Sequence, residues 1–117
     1  MDVVEKLQIK PGQRVCVTAA CEVPAAVTEG VPQAAPGEAD GVIAFARDSA
    51  ELGSVAGPAL EAARQGRLAW VAYPKAGQLG TDLNRDVVVA LLAGQGVQPV
   101  RQVAVDGTWS ALRLRPA

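Results

Sequence analysis

At 117 residues, half of them apolar, the chain fits one domain, 1–117, with material enough for a buried core. Its net charge of −1 is split, with five basic and nine acidic side chains in residues 1–66 against six and three in 67–117. That pattern lacks the strong basic stripe and interleaved aromatics through which nucleic-acid binders neutralise phosphate, so nucleic acid is not an expected partner.

The absence of histidine removes Ser-His and Cys-His nucleophiles and histidine-bound metals. Cys16 and Cys21 are too loosely spaced, and too few, for a metal site. No apolar run approaches the ~20 residues that span a bilayer, so no membrane partner is expected. "MDVVEKLQIKPG" carries acids where a secretory leader has a basic start and an apolar run. The expected compartment is the cytoplasm.

In chain order, residues 2–8 suggest a short amphipathic helix with Val3, Val4 and Leu7 on one side. "KPGQ" then turns the chain into "RVCVTA", a Val-rich run of the kind buried in parallel sheets. The acidic, proline-rich stretch that follows is the least legible. Pro24 suits the opening of a short helix through Val27, and Val31 to Ala34 suit a brief edge strand. "GVIAFA", 41–46, predicts a second buried strand. Asp48, three residues before Glu51, then has the spacing of a helix cap. Leu52, Val55, Ala56, Ala59, Leu60 and Ala63 continue at helical spacing. Gly57-Pro58 breaks them into two short helices or a kinked one.

"RLAWVAY", 67–73, predicts a third buried strand stopped by Pro74. Thr81 suits the cap of the next helix, whose expected stripe is Leu83, Val87, Ala90 and Leu91, closed by "GQG". "VQPVRQVAV" and "TWSALRLR" read as strands joined at Asp106-Gly107, a strong hairpin signal. Arg113 and Arg115 alternate as one solvated face would. Strands alternating with helices predict an open three-layer α/β/α sandwich with a mostly parallel sheet and a C-terminal antiparallel hairpin.

"IKPGQRVCV", "GVIAFA" and "GRLAWVAYPK" resemble strands of class I S-adenosylmethionine-dependent methyltransferases, a Rossmann-like fold. "KPGQRV", "WVAYPK", "TDLNRDV" and "VAVDGTWSALRLR" resemble, more closely, a family of short bacterial proteins of unassigned function. The methyltransferase resemblance implies a glycine-rich cofactor turn after the first strand. Here that run is "VTAACEVP", with no glycine before Gly30, and a β-carbon at each position blocks the close approach such a turn provides. S-adenosylmethionine is therefore not an expected cofactor, although its binding is easily tested, and no other cofactor is implied. G-x-G-x-x-G and G-x-x-x-x-G-K-[ST] are both missing.

Ligands of open α/β sheets bind beyond the carboxyl ends of the strands. In the predicted fold that edge collects Ala20, Cys21, Arg47, Asp48, Tyr73 to Lys75, and the hairpin turn from Asp106 to Trp109. Lys75 on its stiff turn suits an anion, or simply solvent. Trp109 suits an aromatic wall, or plain packing over the sheet. Asp106 suits a turn, or an acid/base pair with Lys75. Thr81, Asp82, Asn84, Arg85 and Asp86 crowd one helix start, where acids complement the dipole and Arg85 is placed to pair with Asp82. The expected function is a non-catalytic domain binding a small ligand or a protein partner. The alternatives are a reduced methyltransferase-like enzyme and a structural homodimer joined through an exposed "SALRLR" edge.

Overall fold

Three runs without a charged side chain form the parallel part of one sheet in the computed structural model, which describes residues 2–117. They are β1 (Val15–Ala19), β2 (Gly41–Phe45) and β3 (Leu68–Pro74). β4 (Val97–Ala104) and β5 (Trp109–Pro116) form the expected antiparallel hairpin, and the sheet order is β1-β2-β3-β5-β4. All of β2 and all of β3 beyond Leu68 are buried, which is why neither strand alternates apolar with polar residues. β2 begins with glycine for a steric reason: a β-carbon at Gly41 would lie 3.0 Å from Leu68 Cβ and 3.2 Å from its carbonyl oxygen.

The sheet separates two cores. On one face Val42, Ala44, Val71, Tyr73, Leu112 and Leu114 meet Leu52, Val55, Leu60, Val88 and Leu92. These come from α3 (Ser49–Val55), α4 (Gly57–Arg64) and α5 (Arg85–Leu92). On the other face Ile43, Phe45, Trp70, Ala72 and Ala111 meet Leu7, Ile9, Val27 and Val31. That face carries only α1 (Val3–Lys6) and α2 (Ala25–Thr28), each one turn long, with loops between.

The three-layer sandwich predicted from the sequence is therefore not formed. Helices run four to eight residues, and two of the four strand pairings are antiparallel, so the sheet is mixed. Pro24, Pro32 and Pro36 leave residues 20–40 no room for a full crossover helix. The edge strand expected at Val31–Ala34 shrinks to a single bridge, Gln33 beside Val15.

Local chemistry explains most boundaries. Asp2, Asp48 and Asn84 cap their helices, each accepting a 2.9 Å bond from the N–H three residues on. α3 and α4 part at Ala56, and Gly57-Pro58 open α4, giving two short helices of the kind the sequence predicts. α5 is capped by Asn84 rather than Thr81, and its buried residues are Val88 and Leu92, while Ala90 and Leu91 face outward. "SALRLR" lies inside the sheet, between β3 and β4, so it is no edge for a second copy. The outer strand is β4, interrupted by a register shift between Pro99 and Arg101 and blunted by a proline without an N–H. Among the described residues no helix is long and apolar enough to cross a membrane.

Trp70, fully buried, donates its Nε1–H to the carbonyl of Leu7 at 2.9 Å, tying the end of α1 to β3. Trp70→Phe removes that bond and leaves a buried carbonyl short of a partner. A loss of about 1–3 kcal/mol in urea unfolding is expected.

Candidate functional site

The chain changes direction of travel at β1. Beyond β1 it passes through α2, whose Val27 packs in the α1-side core, and reaches the outer edge of the same strand. There Val15 N–H donates to the Pro32 carbonyl and Ala34 N–H to the Val15 carbonyl, both at 2.9 Å. Ala34 and Ala39 then pack in the opposite core, and the chain enters β2 on the inner side of β1. Adjacent strands whose connections leave toward opposite sides, here β1 outward to Gln33 and β2 inward to β3, open a crevice between their carboxyl ends, the usual ligand position in open α/β sheets.

A cleft of about 460 Å³ occupies that end. Cys21 and Glu22 follow β1, Arg47 follows β2, and Asp106, Thr108 and Trp109 come from the β4–β5 turn; Leu79 closes one side. Trp109 packs edge-on against Phe45 at 5.1 Å and 82°. Asp106 Oδ1 accepts the N–H groups of Thr108 at 2.7 Å and Trp109 at 2.8 Å, the local turn that aspartate favours. Lys75 N–H donates to the Thr108 carbonyl at 2.7 Å, pinning the hairpin tip to the end of β3.

Arg47 is the cationic group of the cleft. Its Nε and Nη2 donate to Glu51 Oε2 at 2.8 and 2.5 Å, and its backbone N–H donates to Oε1 at 2.8 Å. Hydrogen bonds from Arg47 hold the Glu51 carboxyl below its usual range, while the Arg47 side chain stays 48% exposed. Burial pushes the Cys21 thiol up, Glu51 adds to the rise, and Arg47 opposes it. Cys21 is thus a thiol rather than a ready thiolate nucleophile.

Of the predicted edge residues, the cleft gathers Cys21, Arg47, Asp106 and Trp109. Asp48 lies outside it, occupied in capping α3. Tyr73 points to the opposite core, where its hydroxyl is buried without a partner among the described residues. Burial raises its pKa, with a lowering influence from Arg85 and a raising one from Asp86. Lys75 is half-buried outside the lining and forms no ion pair with Asp106 among the described residues.

The helix-start cluster is used structurally. Thr81 Oγ1 accepts from Leu83 N–H, and Asn84 caps α5. Asp82 does not pair with Arg85: it accepts from the Ser49 N–H at 2.9 Å and hydroxyl at 2.7 Å, which hold its carboxyl below the usual range. Arg85 reaches Asp86 instead, at 3.9 Å on an exposed surface. Sequence reasoning missed Glu22, Val23, Pro24 and Leu79. Leu79 carried a signal, an apolar residue between Gly77 and Gly80; it adopts φ 53° and is 55% exposed.

Among the described residues no group of three or more His, Cys, Asp or Glu side chains is placed to hold a metal. No protein family matches the sequence, and no curated protein is similar enough to count as a relative.

Glu51 and Asp82 have folded-state pKa values depressed by their partners. Their stabilisation is complete above the ordinary carboxylate range of about 4 and is lost as pH falls through the lower folded values. Melting temperature should drop as pH falls below about 4, and a Glu51→Gln, Asp82→Asn double variant should show a shallower drop across the same interval.

Proposed function

We propose that the protein is a non-catalytic binding domain whose cleft at the carboxyl ends of β1 and β2 takes a small anionic ligand with an apolar body. The observation that carries this reading is the composition of the cleft at the point where the chain reverses its travel. One exposed guanidinium, Arg47, stands beside Trp109, Leu79 and Val23. A carboxylate or phosphate on the ligand would meet Arg47, which Glu51 holds in one orientation through three hydrogen bonds. Its apolar part would lie against Leu79 and the rim of Trp109.

The remaining polar groups support binding over chemistry. The Asp106 oxygen that closes the turn already accepts two backbone N–H groups, and the Cys21 pKa is raised rather than lowered. A general base needs a pKa near the working pH and reach to a proton. The rise at Cys21 moves it away from that range, and the Asp106 oxygen is engaged by its own turn.

A thermal-shift panel of S-adenosylmethionine, S-adenosylhomocysteine, NAD, ATP, GTP and small aromatic carboxylates tests the reading. A ligand at a hundred times its dissociation constant adds about 2.7 kcal/mol, a rise of several degrees in a domain of this size. The expected result is a rise with one anionic compound that Arg47→Met and Leu79→Ser each reduce. Ligand-dependent protection of Cys21 from maleimide should accompany it. A compound that is turned over, with activity lost in an Asp106 or Cys21 variant, would replace this reading with an enzyme.

A further inference from the structure

The opposite pole of the sheet, at the amino ends of the parallel strands, holds a second cavity of about 440 Å³, lined by Gln8, Lys10, Asp40, Arg67, Leu68 and Arg113 among others. Its charges are out of balance. Arg113 on β5 lies directly opposite Arg101 on β4, and Arg115 follows two residues later on the same face. Like charges directly opposite each other destabilise a sheet, and here no acid answers them. The Arg113 guanidinium donates to the neutral side chain of Gln8, and its buried Nε has no partner among the described residues.

The other cations at the cavity are equally unneutralised. Arg67 donates to the carbonyls of Pro36 and Ala39 and to the Gln65 side-chain oxygen, all uncharged. Lys10 belongs to none of the ion pairs among the described residues. The cavity's carboxylate, Asp40, accepts from the Arg14 backbone N–H at 2.8 Å.

Gln8 adds a second, independent feature. It sits just past α1 with φ 61°, a position where glycine is usual because a β-carbon is strained there. Glycine could not supply the amide that holds Arg113. A residue in the left-handed region and a like-charged pair thus meet at the cavity wall, joined by the Arg113–Gln8 hydrogen bond. Burial and then Arg115 and Arg101 press the Arg113 pKa downward, a pressure that a bound anion would relieve.

We propose that this cavity binds a small multivalent oxyanion, a phosphate group that is either free or carried on a small metabolite. Arg113 is the principal contact, with Lys10 and Arg67 completing the neutralisation. The planar guanidinium fork matches oxyanion geometry and forms charge-assisted bonds stronger than those it makes to an amide. This site is separate from the cleft at the carboxyl pole.

The test is calorimetric titration of the whole chain with inorganic phosphate, pyrophosphate and ATP, with ionic strength held constant by sodium chloride. Binding by at least one is expected, weakened at least tenfold in Arg113→Met and in Lys10→Gln and unchanged in Arg85→Met, an exposed arginine that lines neither cavity. Phosphate or pyrophosphate binding would identify the free anion, and binding of ATP alone would identify a phosphorylated metabolite. Arg113→Met removes a like-charge contact and should fold; if it does not, Lys10→Gln, at an exposed position, decides the matter. No binding of any of the three at millimolar concentration, or binding retained at full strength in Lys10→Gln and Arg113→Met, overturns the proposal.

Discussion

Strand β3 has water on neither face, and the rest of the structure answers to that. Trp70 and Ala72 enter one core, Val71 and Tyr73 the other. A strand buried this way needs a hydrogen-bonding neighbour on each edge and apolar cover above and below, because an unpaired buried backbone group costs about as much as a lost hydrogen bond. β2 and β5 supply the edges. α3, α4 and α5 cover one face. The other is closed by α1, α2 and the loops around them, with the Trp70 indole N–H fixing α1 through the Leu7 carbonyl.

That arrangement leaves polar groups at the two ends of the sheet, and the ends differ. At the carboxyl end three charged groups have a neighbour that fixes them: Glu51 for Arg47, backbone N–H groups for Asp106, Ser49 for Asp82. The result is a preformed cleft with one oriented cation and apolar walls. At the amino end three arginines, Arg101, Arg113 and Arg115, share a strand pair with no acid among them. Fixed charges at one end and unanswered charges at the other fit two separate binding events, in which ligands supply what the fold has not.

Much of the sheet could be read from the sequence. Uncharged, mostly apolar runs over 15–19, 41–45 and 68–74 read as buried strands, and Asp106-Gly107 specified the hairpin. The helical layers were harder to read. Local proline content broke the expected crossover, yet the α/β alternation argued for it, and the alternation carried no information about helix length. α5 was misplaced because Thr81 and Asn84 are both competent caps, and only packing of Val88 and Leu92 against the sheet selects between them. Within the site, position along the sheet edge was legible and orientation was not. Tyr73 and Trp109 lie at the same edge, paired in register one residue apart, but the pleat sends them to opposite faces. Arg113 looked like a solvated residue, since a strand's period places it outward without revealing that Gln8 covers it.

The most direct test of the cleft as the binding site is a nitrogen-proton correlation NMR titration with a library of small anionic fragments. The account predicts that at least one fragment shifts the amide signals of Cys21, Arg47, Leu79, Thr108 and Trp109 together, leaving those of α4 and α5 in place. Shifts confined to α4 and α5, or no fragment perturbing the carboxyl pole at all, would contradict it.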